Sequence, residues 1–318
     1  MRSGAAAGHD GYFHESAFYH SDDEFLGIVA PFFADGVSAG EPVIAAFAPA
    51  NQRLIRKEFG EHDVRFLDGE AQYLRPAGAI RRYRELFAEC VSEGATQIRV
   101  AGDVPHPGTG SPWDCWARYE ASVNRLYNDF PVWGLCPYDL RTAPADVVDE
   151  VRRTHPFLAT THGHQDNAAF VDPVAFLSGR VDRWADPLEQ TPAAVELADP
   201  TPTEVRQAIA TVSDLVDLSD EDRTGLLVAV SEVVTNAILY GAAPVRTRIW
   251  TGPDRILVTV TDRGEGVTDP FAGLTFPASS QPGGRGLSLA HQLCGYVQLR
   301  HDTAGFTVCL VAGTPAVR

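Results

Sequence analysis

In TDRGEGV (261–267), Asp262 is followed by Gly264 and Gly266 at two-residue spacing. Glycine has no Cβ, so a backbone of this kind can approach a flat ligand closely while the carboxylate accepts a hydrogen bond from an amino group. In QPGGRGLSLAH (281–291), Gly283, Gly284 and Gly286 lead directly into helical spacing. Free backbone N–H groups and the positive end of a helix dipole then point at one spot, which suits a phosphate. No GK[ST] follows these glycines, so this is not a Walker A loop, and it is not a GxGxxG after a strand. In SEVVTNAILYG (231–241), Glu232 and Asn236 stand four apart, on one face of a helix. Val230, Val233, Val234, Ala237 and Ile238 supply its apolar surface. Each stretch alone has a plainer reading: a rim glutamate with a core asparagine, a glycine-rich turn, or a loop opening a helix.

The elements that must position these residues can be read from periodicity. Helices are expected over 203–218 and 219–241, the second opened by Ser219 with Asp222 three residues on, close to a capping box. Strands follow at 245–251 and 255–262, then the glycine-rich loop, a helix from Arg285 to Cys294, and closing strands at 296–302 and 305–311. This order predicts an α+β layer with helices against one face of a mixed sheet. Upstream, 176–202 carries four prolines (187, 192, 200 and 202) and little periodicity, the composition of a linker or a domain lead-in. From His14 to about Val171 the pattern changes: strand-like runs at 42–48, 63–68, 96–102 and 130–139 alternate with helical spacing at 77–94 and 113–130. Strands separated by helices predict an α/β domain with a parallel sheet and crossover helices. Residues 1–13 are small and polar and are expected to be disordered.

The succession ExxxN helix, DxGxG strand end, GGRGL helix start and two closing strands resembles the GHKL, or Bergerat-fold, ATP-binding domain. Within that superfamily it is most similar to the anti-sigma-factor serine/threonine kinases, over about residues 195–312 of a domain bounded at 195–318. The resemblance implies a two-layer α+β fold that binds ATP and Mg²⁺. It implies that Asn236 holds Mg²⁺ between the nucleotide phosphates and that Glu232 acts as general base or positions water. Asp262 would read the adenine amino group, with Gly264 and Gly266 shaping the pocket, and Gly284, Arg285, Gly286 and Leu287 would close over the phosphates. The implied partners are an anti-anti-sigma (STAS) protein or a sigma factor, and related kinases suggest a homodimer. Two positions depart from the family's habit: Tyr240 stands where it often has His, and Gly295 where it often has Asp. The alternatives are a nucleotide-gated protein-binding module without phosphotransfer, and a histidine-kinase-like protein working in trans. Against self-phosphorylation, no two-helix segment with a phosphoacceptor histidine precedes the domain, and His155 stands before Pro156, which disfavours helix there.

The N-terminal half, over 14–175, resembles the MEDS sensory domain, a RecA-like α/β module fused to bacterial signalling outputs. The clearest local match is DGVSAGEPVIAAF (35–47), with Gly36 and Gly40 as turn residues; AGDVP, ARYEASVN, LCPYDL and THPF add to it. It lacks GK[ST], so ATP binding by this half is not expected. His14, Cys136 and His155 fall in the matching segments and are the sensory candidates, for a metal or a small molecule; the alternative is a buried strand thiol with satisfied histidines. His162 and His164 form an HxH in what reads as a polar loop, and Trp113, Trp116 and Trp133 read as core or as the wall of an apolar pocket.

The totals exclude some classes. A formal net charge of -16 over 318 residues argues against nucleic acid and against an anionic membrane surface. Five cysteines, without CxxC spacing, predict reduced thiols rather than a disulfide framework. No signal peptide or spanning run is read, so a cytoplasmic protein is expected.

Overall fold

The computed structural model describes residues 2–60, 62–180, 184–274 and 285–316. They fall into two units, 1–74 with 79–180 and 75–78 with 181–318.

The first unit contains β1 (Phe13–Tyr19), α1 (Asp22–Ser38), β2 (Val43–Ala46), α2 (Pro49–Glu58), β3 (Arg65–Phe66), α3 (Gly69–Gln72), α4 (Pro76–Ser92), β4 (Ile98–Gly102), α5 (Trp113–Leu126), β5 (Val132–Asp139), α6 (Ala145–Thr154), β6 (Phe157–Thr160), β7 (Gly163–Asp166) and α7 (Pro173–Gly179). The sheet order is β3-β2-β4-β5-β1-β6-β7, parallel except for the β6–β7 hairpin at one edge. The parallel sheet with crossover helices is the one expected. The hairpin replaces the polar loop read around His162 and His164.

The interior strand β1 has no apolar run to announce it. Phe13, Ala17 and Tyr19 alternate onto the core face shared with α1, while His14 and Ser16 point to the other face. Glu15 is fully buried beside that core because its two oxygens meet Trp133 Nε1 at 2.6 Å and His164 Nδ1 at 2.8 Å. Trp113, Trp116 and Trp133 are all buried, as core residues.

Residues 2–12, expected to be disordered, are ordered by their polar groups. Arg2 donates to Gln97 and to the carbonyls of His9 and Val132, and Ser3 donates to Glu41. The buried Arg99 closes the arrangement, donating to Glu41 at 2.7 Å, Phe32 O at 2.7 Å and Ser3 Oγ at 2.8 Å, with its guanidinium over the Trp133 ring.

The second unit contains β8 (Val195–Ala198), α8 (Pro202–Ser213), α9 (Asp220–Tyr240), β9 (Arg246–Thr251), β10 (Arg255–Asp262), α10 (Arg285–Leu293), β11 (Tyr296–Asp302) and β12 (Gly305–Gly313). Its five strands run β11-β12-β10-β9-β8. Every pairing is antiparallel, so the sheet is not mixed. β8 supplies the fifth strand and was hidden in the proline-rich lead-in. The stretch 184–194, read as linker, is fixed to this unit: Asp186 pairs with Arg255, Glu189 with Arg300, and Trp184 packs on Tyr296. α8 ends at Ser213 rather than 218.

Caps set the helix starts. Thr201 and Glu204 form a reciprocal capping box ahead of Pro202. Ser219 Oγ accepts the Asp222 N–H at 3.0 Å and gives its own proton to the Asp222 carboxylate. The core lies between these helices and one sheet face: Val205, Ile209, Leu226, Val230 and Val234 pack with Ile249, Val258, Val260 and Leu310. Ile238, read as part of the apolar face of α9, is 51% exposed, and Leu239 and Tyr240 beside it are exposed too.

Candidate functional site

In the second unit, α9 carries the polar pair. Glu232 and Asn236 are half-buried, while Val233, Val234 and Ala237 between and beside them are buried. What meets the pair is the start of α10. A Cβ at Gly286 would stand 2.7 Å from Glu232 Oε2, 2.9 Å from Glu232 Cβ and 3.0 Å from Asn236 Nδ2. Only a residue without a side chain lets the first turn of α10 close on both polar groups. Arg285 begins this helix and Leu287 is buried behind it in the core. Gly284 and Gly283 lie outside the described residues.

Asp262 ends β10 and is 5% exposed. Its Oδ1 accepts the N–H groups of Gly264 at 2.6 Å and Ala242 at 3.2 Å. Ala242 is two residues past the end of α9, so this carboxylate is held against the C-terminal end of the helix whose middle carries Glu232 and Asn236. Gly266 has φ +70, a left-handed conformation, and a Cβ there would strike the Phe306 ring. From Glu232 to Gly241 is nine residues, about 14 Å at the ~1.5 Å rise of an α-helix. The site therefore has a carboxylate at one end and a helix N-terminus with an acid–amide pair at the other.

In the first unit, the three sensory candidates come together. β1 and β5 are neighbours with Ser16 opposite Cys136, and His14 shares the face of Ser16. His155 follows the last residue of α6. Cys136 Sγ is 3.5 Å from His14 Nε2, and the His14 and His155 rings are 3.9 Å apart. A fourth side chain joins them. Glu120 on α5 brings Oε2 to 3.4 Å from His14 Nε2, 3.5 Å from His155 Nε2 and 4.0 Å from Cys136 Sγ. All four are buried. Burial lowers both imidazoles to about 3 and raises the Glu120 carboxyl and the Cys136 thiol. Glu120 was not singled out from the sequence. The available signal was its place on the buried face of α5, in register with Trp116, Val123 and Tyr127.

The same unit has a cavity of about 530 Å³ where β1, β2, β4 and β5 end, lined by Tyr19, Asn51, Asp103, His106, Asp139 and Arg141 among others. Ligands of open α/β sheets bind outside the carboxyl ends of the strands. Asn51 donates to Asp103 and to Tyr19 Oη at 3.0 Å, and the Ala48 N–H reaches Asp103 at 3.0 Å. Burial raises the Asp103 carboxyl from 3.8 to about 7.

Among the described residues no helix is long and apolar enough to cross a membrane. Residues 13–156 match the family described as MEDS, the MEthanogen/methylotroph, DcmR Sensory domain, and residues 198–312 match the Histidine kinase-like ATPase domain. No curated protein matches the chain. Solved structures similar to part of it include the RsbU and RsbW domains of Rv1364c from Mycobacterium tuberculosis, with 20% identity over 40% of this chain and 33% of that one, at a TM-score of 0.28. The chain thus spans about a third of the length of that relative. The catalytic domain of histidine kinase ThkA is similar at 15% identity over 38% of this chain and 95% of that one, TM-score 0.25. The histidine kinase domain of the E. coli osmosensor EnvZ is similar at 17% identity over 41% and 94%, TM-score 0.24. Two domains are thereby identified along one chain: a MEDS domain, and after it a histidine kinase-like ATPase domain.

Proposed function

We propose that the protein is a signalling regulator in which the second unit binds ATP with Mg²⁺ and transfers its γ-phosphoryl group to a serine or threonine of a protein partner. The observation that carries this reading is the seat of Gly286 against Glu232 and Asn236. It puts a helix N-terminus, a carboxylate and a side-chain amide at one point, and residues of these types fit a metal-bound triphosphate. Bound there, the metal supplies a hard positive charge that offsets charge developing on the phosphoryl oxygens. The chain's own parts divide the remaining work. Asn236 offers its amide oxygen to the cation. The N–H groups opening α10 receive phosphate oxygens. Glu232 takes the hydroxyl proton of the partner or orients that hydroxyl. Asp262 keeps Oδ2 for the adenine amino group, since Oδ1 is filled by Gly264 and Ala242.

The partner proposed is an anti-anti-sigma (STAS) protein or a sigma factor, within the cytoplasm, with the first unit sensing a small polar molecule in the cavity beside Asp103. The exposed Ile238, Leu239 and Tyr240 at the end of α9 favour a second reading, a nucleotide-gated docking module without transfer. Glu232→Gln separates the two. With labelled ATP and candidate partners, the wild type should label a serine or threonine, and Glu232→Gln should lose at least about 100-fold in rate while binding ATP as before. ATP binding by the wild type without labelling of any STAS protein supports the docking module, and acid-labile phosphate on histidine would point to transfer of the histidine-kinase kind.

A further inference from the structure

We infer that His14, Glu120, Cys136 and His155 form a closed binding site for one thiophilic divalent cation of the zinc class. The inference concerns the first unit and is independent of the nucleotide site.

Hydrogen-bond accounting carries it. The Asn124 amide nitrogen faces three carbonyls, of Glu120, Ala121 and Thr154, at 3.0, 3.2 and 2.8 Å. Its Oδ1 is therefore the acceptor for His14 Nδ1–H at 3.1 Å. His155 Nδ1 lies 2.8 Å from the Val151 carbonyl, which can only accept, so this nitrogen carries the proton. Each neutral imidazole is thus fixed in the tautomer that leaves Nε2 bare. Both bare nitrogens point at Glu120 Oε2, and His155 Nε2 has no hydrogen-bond partner among the described residues. Glu120 Oε1 is occupied by Tyr138 Oη–H at 2.5 Å, which leaves Oε2 turned to the histidines. Ser16 Oγ, on the same face of β1 as His14, is also buried without a partner among the described residues. The centre is a group of electron-pair donors with too few protons between them.

A divalent cation resolves the shortage. Two neutral imidazoles, a thiolate and a carboxylate sum to zero with a 2+ ion, so complete burial leaves no net charge. The dimensions agree. Bonds of ~2.0–2.3 Å in a tetrahedron imply ligand atoms about 3.3–3.8 Å apart. Three contacts around the centre, at 3.4, 3.5 and 3.5 Å, fall in this range; the Cys136–Glu120 contact of 4.0 Å lies just beyond it, and all four ligand atoms lie within 4.8 Å of one another, so a small inward shift closes the set. The outer contacts are those of a metal site: Asn124 and the Val151 carbonyl orient the rings, and Tyr138 orients the carboxylate. Nitrogen, sulfur and one oxygen select zinc over magnesium or calcium. Four protein ligands with full burial leave no open position, so the site ties β1, α5, β5 and the end of α6 together and carries out no hydrolysis. On binding, the Cys136 S–H proton is released to solvent and the sulfur–metal bond replaces it.

The test uses the full, untagged chain. Elemental analysis after purification in zinc-containing medium should give one zinc per chain. Chain unfolded with a chelator and refolded with Co²⁺ should show intense tetrahedral d–d absorption and a thiolate-to-cobalt charge-transfer band. Cys136→Ser should lose that band, and Glu120→Gln should shift the d–d envelope and weaken cobalt affinity at least about tenfold. A wild-type chain that refolds to native near-ultraviolet circular dichroism in zinc or cobalt yet takes up neither ion overturns the proposal and makes the cluster a closed proton-sharing network. A metal-bound spectrum unchanged in both variants also overturns it, by placing the ion elsewhere. The wild-type measurements decide the matter even where a variant fails to fold.

Discussion

Asp262 is held by two backbone N–H groups on one oxygen, so its other oxygen is aimed before any ligand arrives. Asp262→Asn should weaken ATP binding about 10–100-fold, the size of one charge-assisted hydrogen bond at ~1.5–3 kcal/mol, as read by titration calorimetry. Asp103 makes a different prediction. Its folded carboxyl is raised by burial from 3.8 to about 7, so between these values the folded chain binds the proton that the unfolded chain has lost. Its contribution to stability therefore falls as pH rises from about 4 to 7, and Asp103→Asn should flatten that part of a melting-temperature profile. Several of these residues were legible because chemistry and spacing coincided, as in DxGxG and ExxxN. Glu120 was not, since its place on the buried face of α5 does not name its partners, and these come from three other elements. His14, Cys136 and His155 were named from their neighbourhoods, but their convergence depends on β1 lying beside β5.

At the scale of elements, α9 and α10 pack along their lengths, and at Gly286 that packing brings the start of α10 onto Glu232 and Asn236. Gly286→Val should push Glu232 and Asn236 aside and lower ATP affinity at least about tenfold, at ~1–3 kcal/mol for overpacking, while Gly286→Ala should give a smaller loss of the same sign in a fluorescent-nucleotide assay. Helices with caps were easy to read: Ser219 and Asp222 meet as their three-residue spacing implied. Strands without an apolar run were not. β1 reads FHESAFY, and its polar His14 is buried against Glu120 and Asn124 of α5 and against His155, which follows α6. β8 was obscured by flanking prolines, and β7 by its polar sequence GHQD. Antiparallel order throughout the second sheet follows from which edge each strand joins, which periodicity does not encode.

For the whole molecule, two compact units predict two unfolding transitions. Scanning calorimetry should resolve them, and ATP with Mg²⁺ at about 100 times its dissociation constant should add about 2.7 kcal/mol to the transition of the second unit. Glu232→Gln should retain that shift. The alternation of strands and helices made the two-part architecture legible, whereas the ordering of residues 2–12 was not, because small polar residues ordinarily stay loose. Here they meet Arg99, a fully buried guanidinium whose donors reach Ser3, Phe32 and Glu41. One cation thus works as a clasp for chain segments that synthesis delivers nearly a hundred residues apart. An exopeptidase given the folded protein should stall near Arg2, and a recombinant version trimmed to begin at the first strand would be a different material, with its clasp half open.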